Sequence, residues 1–183
     1  MRIVAFNGGY GVGKSTAIKC LQEVFPDKSF HLVKFAGPLY DMQEYIYGRI
    51  SSVIQRPANF AKDRKLLQWL GTEWGRGLDQ NLWTQIWTQE VKTALESDSN
   101  VIIVCDDARF DNEAELVKSL GGTIIKLVRT DNAKHAEGGT GIANHASEAG
   151  INPALVDHIV KNDSTLDDFK FNLQTVFESL GIN

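Results

Sequence analysis

The sequence predicts an α/β fold in which a mostly parallel, five-stranded sheet carries helices on both faces. Short runs of β-branched and aromatic residues alternate along the chain with longer segments whose apolar residues recur at helical spacing. The glycine-rich segment follows the first candidate strand, two aspartates follow the third and an arginine follows the fourth. The carboxyl ends of parallel strands meet at one edge of a sheet. We therefore expect a single domain over residues 1–183, with a ligand site at that edge.

Five segments are short, apolar and rich in β-branched residues, as buried parallel strands are. These are residues 2–6, 31–36, 100–105, 123–128 and 158–160. Six longer segments have apolar residues at three- and four-residue intervals and are predicted to be helices. These are residues 16–25, 39–47, 62–76, 82–95, 112–120 and 165–180.

Local signals support several of these boundaries. Pro38 suits the start of the second helix, and Gly121-Gly122 suit the end of the fifth. Residues 51–59 have a loop-like composition. Residues 130–150 are polar, glycine-rich and longer than most connections, which indicates either a functional lid or a disordered segment.

Composition limits the classes of protein that fit. The 43% hydrophobic and 23% charged residues are typical of a soluble globular domain, and no apolar run approaches the roughly 18 residues of a transmembrane helix. The early first strand leaves no room for a signal peptide, and Cys20 and Cys105 are predicted to be buried thiols in a reducing cytoplasm. Because the net charge is −4 without an obvious basic patch, we expect neither nucleic-acid nor membrane binding.

The glycine-rich segment at residues 8–15 is the most specific motif. It reads G-G-Y-G-V-G-K-S and matches G-x-x-x-x-G-K-S, a loop whose backbone N–H groups surround phosphates. A predicted strand and helix flank it, as the motif requires. Lys14 is expected to reach the β- and γ-phosphates of ATP, and Ser15 to bind Mg²⁺. The predicted ATP-binding residues are Gly9, Gly11, Val12, Gly13, Lys14, Ser15 and Thr16.

Two acidic residues follow the third predicted strand. Asp107 can orient the water ligands of Mg²⁺, while Asp106 would face the other side of the strand if the strand persists. Both could instead be ordinary carboxylates at a strand end. Arg109 lies two residues beyond Asp107 and can meet a phosphate or pair with Asp111 or Glu113.

Four polar residues recur at intervals of four in the third predicted helix: Arg64, Gln68, Thr72 and Arg76. This spacing puts them along one slowly drifting helical face. Two arginines with a glutamine and a threonine between them suit the phosphate and base of an acceptor molecule. A solvated surface face is the alternative, since most helices have one polar side.

Aromatic and basic residues supply further candidates. The four tryptophans lie within residues 69–87, where one could stack on a nucleobase or all could pack in the core. Arg129 precedes the glycine-rich segment and could neutralise charge on a transferred phosphoryl group, assisted by Lys134, or could anchor that segment through an ion pair. For His145 and Glu148, hydrogen bonding and helix capping are favoured over a metal site.

Several segments are distinctive when taken together: R-K-L-L-Q-W-L-G-T-E-W-G-R at 64–76, Trp83, V-C-D-D-A-R-F-D-N-E at 104–113, L-V-R at 127–129 and H-A-S-E at 145–148. They resemble the deoxynucleoside monophosphate kinases of tailed bacteriophages, and the resemblance extends over roughly residues 1–170. It implies a three-layer P-loop kinase fold. It also implies transfer of the ATP γ-phosphate to deoxynucleoside monophosphates (dNMPs), with Mg²⁺, for phage DNA synthesis in the host cytoplasm, often by a homodimer.

The resemblance also implies roles for individual residues. The glycine loop would hold ATP and Mg²⁺, an acceptor-binding helical region at about 38–97 would hold the dNMP, and a lid at about 130–150 would cover them. The catalytic residues would be Lys14, Asp107, Arg109 and Arg129. The substrate-binding residues would be Lys34, Arg64, Gln68, Trp69, Thr72, Arg76 and Trp83. The metal would be held by Ser15 and, through water, by Asp107.

Two other functions remain open from the sequence. One is a P-loop kinase for another small acceptor, such as dephospho-coenzyme A. The other is a nucleotide-binding switch without an acceptor, although the N-K-x-D and D-x-x-G motifs of a GTPase do not occur in the chain.

Overall fold

The computed structural model describes residues 3–56, 62–130 and 150–183. Five strands form one sheet of order β2-β3-β1-β4-β5, in which every pair is parallel. They are β1 (Ile3–Asn7), β2 (Phe30–Leu32), β3 (Ile102–Cys105), β4 (Thr123–Val128) and β5 (His158–Lys161). The predicted α/β fold is confirmed, and the sheet that was predicted to be mostly parallel is wholly parallel over the described residues.

Helices cover both faces of the sheet. They are α1 (Lys14–Val24), α2 (Gly37–Ile50), α3 (Arg64–Gln68), a π-helix (Trp69–Arg76), α4 (Leu82–Ser97), α5 (Asp111–Ser119) and α6 (Leu166–Ser179), with a 3-10 turn at Pro153–Leu155. Within the described residues, no helix combines the length and hydrophobicity that crossing a membrane requires.

Alternation along β1 divides the core into two layers. Val4 and Phe6 pack with residues of α1 and α6, whereas Ile3 and Ala5 pack with residues of α4 and α5 on the opposite face. This follows from the two-residue period of a strand. Each fully buried large apolar side chain contributes roughly 1.5–3 kcal/mol to folding. Cys20 and Cys105 are both buried free thiols, as predicted.

The second strand is shorter than its sequence predicted. Residues 31–36 were expected to continue as a strand, but β2 ends at Leu32. The backbone amides of Phe35 and Ala36 donate to the side chain of Asp107 at 3.0 Å and 2.9 Å instead of to a neighbouring strand. A carboxylate from the end of β3 thus bends this segment away from the sheet and leads it into α2.

The predicted helix over residues 62–76 is divided into α3 and the π-helix. In a π-helix the backbone bonds join residues five apart, and burial here repeats at that interval. Leu70 and Gly75 are buried, as are Gly71 and Arg76, whereas Trp69 and Trp74 are both exposed. The four-residue stripe predicted for an uninterrupted α-helix therefore does not continue to its last member, Arg76.

The strand order creates one position at which the crossovers diverge. The connection from β1 leads across β3 to β2, while the connection from β3 leads across β1 to β4. Their helices, α1 and α5, lie on opposite faces. In open α/β sheets, ligands bind at the carboxyl edge of such a point. Here that position lies between the glycine loop after β1 and the acidic pair after β3.

Candidate active site

The glycine loop has the curled backbone that its sequence predicts. Gly8, Gly11 and Gly13 have φ angles of 145°, 76° and 103°. A side chain at Gly13 would lie 2.5 Å from Nδ2 of Asn162, which donates to the carbonyl oxygen of Val12 at 3.0 Å. Asn162 follows β5 and supports the loop from across the sheet. No local motif marks Asn162, which explains why sequence reasoning missed it.

Lys14 lies across its own loop. Its Nζ donates to the carbonyl oxygens of Gly8 and Gly9 at 2.6 Å and 2.7 Å. Ser15 and Thr16, in the first turn of α1, are exposed. The loop therefore presents an ammonium group, two hydroxyl groups and the N-terminal end of a helix to one space, which is a combination suited to a polyphosphate.

Arg64 lies against the glycine loop. Its guanidinium carbon is 4.5 Å from the ring centre of Tyr10, a loop residue that is 58% exposed. Asp63 caps the helix that begins at Arg64, because its carboxylate accepts a hydrogen bond from the amide of Leu66 at 3.0 Å. Tyr47 fixes that carboxylate by donating to it at 2.8 Å. A candidate acceptor-side arginine is thus held beside the predicted donor loop.

The two acidic residues after β3 have different surroundings. Both carboxylate oxygens of Asp107 accept backbone N–H groups, from Phe35 and Ala36, and the Cys105 thiol donates to it at 3.1 Å. Burial raises the pKa of Asp107, although the amide of Ala36 opposes the shift. Burial also raises the pKa of Cys105 well above its usual value, so this thiol is not a nucleophile.

Asp106 keeps one oxygen available. Its Oδ2 accepts a hydrogen bond from Nζ of Lys34 at 3.2 Å. Its Oδ1 lies 3.1 Å from the same nitrogen as an ion-pair contact but has no hydrogen-bond partner among the described residues, although it is buried. Burial lowers the pKa of Lys34, but the charge and hydrogen bond of Asp106 more than offset it and raise that pKa.

This difference bears on which carboxylate can orient a metal. A buried carboxylate oxygen without a hydrogen bond is costly unless something binds it. Asp106 meets this description at the edge of the sheet beside the glycine loop, whereas Asp107, the residue predicted from sequence, uses its oxygens to hold the start of α2. No cluster of three or more histidine, cysteine or acidic residues within the described ranges could hold a metal by itself.

Arg76 is placed differently from the sequence prediction. It was expected to face the dNMP, but only 6% of its surface is exposed, and its Nη2 forms an ion pair with Oε1 of Glu113 at 2.6 Å. Its Nη1 donates to Asn112 at 3.1 Å and to the carbonyl oxygen of Gln80 at 3.2 Å. The phase change at the π-helix turns Arg76 inward, toward the chain after β3.

The tryptophans divide into core and surface residues. Trp83 was predicted to bind substrate, but it is 3% exposed and donates from Nε1 to the carbonyl oxygen of Gly71 at 2.7 Å. Its ring packs against Gly75, where a Cβ atom would lie 2.1 Å from it. Trp83 therefore supports the π-helix from inside. Trp69 is 52% exposed and keeps an open ring surface.

The remaining predicted residues lie along the carboxyl edge or on the acceptor-side helices. Arg109 is exposed and Arg129 is half-buried, after β3 and β4 respectively. The pKa of Asp163 after β5 is lowered, chiefly by two hydrogen bonds from Thr130 and to a smaller extent by charges that include Arg129. Gln68 and Thr72 are half-buried. Lys134, His145, Glu148 and nearly all of the predicted lid at 130–150 lie outside the described residues.

The strand order brings charged residues from several segments to this edge. Lys34, Asp106, Lys14 and Arg129 follow four adjacent strands, β2, β3, β1 and β4, at their carboxyl ends. Arg64 reaches the same loop from α3. Such an array can bind two phosphorylated molecules and offset the charge that develops during phosphoryl transfer.

Comparisons with known proteins identify the family to which the chain belongs. A family model described as deoxynucleotide monophosphate kinase matches residues 7–173. A protein of Acanthamoeba polyphaga mimivirus, provisionally named as such a kinase, is 29% identical over 188 residues, which cover 92% of this chain and 92% of the viral protein. The deoxynucleotide monophosphate kinase of Enterobacteria phage T4 is 24% identical over 158 residues, which cover 86% of this chain and 58% of that protein.

Solved structures agree at the level of the fold. An unliganded sugar kinase from Janibacter is similar with a TM-score of 0.52 and 13% identity, and the match covers 100% of this chain and 95% of that chain. The family model covers most of the chain, so the resemblance predicted from sequence is confirmed. The chain belongs to the deoxynucleotide monophosphate kinase family and is a phosphotransferase.

Proposed function

We propose that this chain transfers the γ-phosphate of ATP to a dNMP and releases ADP and the deoxynucleoside diphosphate. The observation that carries this proposal is the contact between Arg64 and Tyr10, with 4.5 Å between guanidinium carbon and ring centre. It joins the start of the acceptor-side helices to the loop that would hold the ATP phosphates. This contact supports a donor site and an acceptor site that lie side by side, which direct transfer between two bound nucleotides requires.

No side chain needs to act as a nucleophile. An oxygen of the acceptor phosphate attacks the γ-phosphorus in line, and the bond to the β–γ bridging oxygen breaks, with ADP as the leaving group. Lys14 leaves the carbonyl oxygens of its loop and binds the β- and γ-phosphates. Arg109 and Arg129 offset charge on the transferred group from the ends of β3 and β4. Positioning and charge neutralisation supply most of the rate enhancement.

Ser15 and Asp106 would hold Mg²⁺, which would help to offset the negative charge of the phosphates. We prefer Asp106 to Asp107 because Asp106 Oδ1 is buried without a hydrogen-bond partner among the described residues, whereas Asp107 holds two backbone amides. Lys34 forms an ion pair with the Asp106 carboxylate at 3.1 Å.

On the acceptor side, Arg64 would bind the dNMP phosphate. Lys34, which forms an ion pair with Asp106, would assist Arg64 in binding that phosphate. Gln68 and Thr72 are half-buried and would read the base or sugar, while the exposed ring of Trp69 offers a surface for base stacking. Arg76 and Trp83 are buried and would support these residues without touching the dNMP. A homodimer and a location in the host cytoplasm stay predictions.

An ADP-release assay coupled to a chromogenic reaction tests the proposed function. With ATP and Mg²⁺ present, we expect release that depends on one or more of the four dNMPs and exceeds the ATP-only rate at least about tenfold. Ribonucleoside monophosphates and dephospho-coenzyme A serve as competing acceptors. Release with dephospho-coenzyme A but no dNMP would overturn the proposal, and so would ATP hydrolysis that no acceptor stimulates.

The choice between the two acids has its own test. Asp106→Asn is expected to raise the Mg²⁺ concentration for half-maximal activity about 10- to 100-fold, as loss of a metal-orienting group does. Asp107→Asn is expected to lower the free energy of unfolding, because it weakens the hold on Phe35 and Ala36, with little change in Mg²⁺ dependence. The opposite pattern would assign the metal to Asp107.

A further inference from the structure

The carboxylate of Glu113 joins three segments of the chain. Its Oε2 accepts the backbone N–H groups of Arg109 at 2.7 Å and Phe110 at 3.1 Å, and its Oε1 binds Nη2 of Arg76 at 2.6 Å. Glu113 itself lies in the first turn of α5. One side chain thus fixes two successive peptide groups and a residue 37 positions earlier.

Arg76 completes this cluster from the π-helix. Besides Glu113 it binds Asn112 at 3.1 Å and the carbonyl oxygen of Gln80 at 3.2 Å, and its guanidinium lies 3.7 Å from the ring centre of Phe110. Arg76 and Glu113 are only 6% and 3% exposed. Neither can touch a substrate in this arrangement, so any role in the reaction is exerted through another residue.

The residue that they can act through is Arg109. Its backbone N–H donates to Glu113, the residue is exposed, and it follows β3 at the carboxyl edge of the sheet. On the other side, Arg76 ends the π-helix that follows α3 and Arg64. The Arg76–Glu113 pair is therefore a fixed link between the acceptor-side helices and the backbone of a predicted catalytic arginine.

We infer that Glu113 and Arg76 are positioning residues for phosphoryl transfer, which hold the backbone of Arg109 in one geometry relative to the acceptor-side helices. The inference rests on the proposed function. A buried ion pair is poor evidence of a stabilising role, because well-packed apolar residues often stabilise as much or more. An ion pair does impose a particular geometry when both partners make further hydrogen bonds, as they do here.

The first test separates turnover from acceptor binding. Glu113→Gln keeps an oxygen for the two amides but removes the charge that binds Arg76. We expect kcat to fall about 10- to 100-fold while the KM for dNMP changes less than about threefold, since a small misplacement of a catalytic group affects the rate most. Glu115→Gln, an exposed residue of the same helix, is the matched control and should leave both constants unchanged.

The second test asks whether the effect passes through Arg109. In an Arg109→Ala background, Glu113→Gln is expected to lower kcat by less than about twofold, because the group that it positions is absent. A purely structural role predicts that kcat falls by the same factor in both backgrounds. Equal losses would overturn the inference, and so would a rise in the KM for dNMP with unchanged kcat.

Folding is monitored by thermal unfolding, and Arg76→Lys provides a second route if Glu113→Gln does not fold. Arg76→Lys keeps the charge but loses the forked contacts, and the same pattern of kcat, KM and dependence on Arg109 is expected. If the unaltered chain turns over dNMPs but these patterns fail, the inference is wrong and the proposed function stands. If the unaltered chain shows no dNMP-dependent ADP release, both are overturned.

Discussion

The phosphate-binding loop and the π-helix both belong to the regions predicted to bind the substrates, but different forces shape them. The loop takes its form mainly from its own glycines, and Lys14 bonds to carbonyl oxygens five and six residues away. The π-helix takes its form from packing on Trp83 and from the ion pair between Arg76 and Glu113. A local backbone preference can be read from a short motif, whereas long-range packing cannot.

The largest effect is expected in the loop, from a substitution of Lys14. We expect Lys14→Ala to lower kcat about 10²- to 10³-fold, because it removes a positioned cation from the phosphates that react. Since the loop takes its form mainly from its glycines, the free energy of unfolding should stay within about 1 kcal/mol. ADP release and urea unfolding measure the two effects.

Lys19→Ala is the control for Lys14→Ala, because Lys19 is exposed on the same helix. It should alter neither kcat nor stability. Near-normal turnover of Lys14→Ala would remove Lys14 from the reaction. A large loss of stability would show instead that the lysine holds the loop in shape.

On the π-helix side, the sharpest change adds a single methyl group. A Cβ atom at Gly75 would lie 2.1 Å and 2.6 Å from ring atoms of Trp83, so Gly75→Ala forces the helix and ring apart. We expect it to lower the free energy of unfolding by about 3 kcal/mol, at the upper end for overpacked cores. Urea unfolding measures this loss.

Gly77 offers a matched comparison two residues later. A Cβ atom there meets nothing within 4 Å, and its φ of −69° is open to any residue. Gly77→Ala should therefore be neutral or stabilise by up to about 1 kcal/mol. Equal losses from the two substitutions would mean that glycine flexibility, and not contact with Trp83, shapes this segment.

Glu113 makes the stability of the segment around the π-helix depend on pH. Burial raises its pKa from 4.5 to about 7, although the amide of Arg109 and the charge of Arg76 oppose the shift. The folded state thus holds more protons than the unfolded state between these values. The stability that this provides is fully present below about pH 4.5 and is lost as the pH rises through about 7.

Urea unfolding at several pH values tests this assignment. From about pH 5 to about pH 8, the free energy of unfolding of the unaltered chain should fall by about 2 kcal/mol relative to Glu113→Gln. Other groups near Glu113 are Arg76, Asp107 and Cys105, and they remain in both proteins. If the two proteins have parallel pH profiles, Glu113 does not titrate in this range.

The same contrast explains how far the sequence could predict the structure. Strand and helix periodicity gave the layers of the fold, and the motif at 8–15 gave the loop, because both are local. That Asp107 orients the metal stays a prediction, and its contacts with Phe35 and Ala36, 72 and 71 positions away, could not be read from a local pattern. The four-residue spacing of an α-helix put Arg76 on the same face as Arg64. The π-helix changes that spacing, and it depends on long-range packing that the spacing alone cannot reveal.

The smallest expected effect tests whether the loop is coupled to α3, the helix that leads into the π-helix. Tyr10 belongs to the loop and Arg64 begins α3. The guanidinium carbon of Arg64 lies 4.5 Å from the ring centre of Tyr10. An exposed contact of a cation with an aromatic ring contributes about 0.5–1 kcal/mol. We therefore expect a coupling free energy of this size in a double-mutant cycle of Tyr10→Leu and Arg64→Ala, measured by urea unfolding.

Tyr10→Phe keeps the ring and provides the control, since its cycle with Arg64→Ala should give the same coupling as Tyr10 itself. A coupling below about 0.3 kcal/mol would mean that the loop and the helices are only neighbours, because independent sites add within that margin. A coupling of the expected size would mean that the loop, which its own glycines shape, also orients the arginine that begins α3. The donor loop would then take part in arranging the acceptor site before either nucleotide binds.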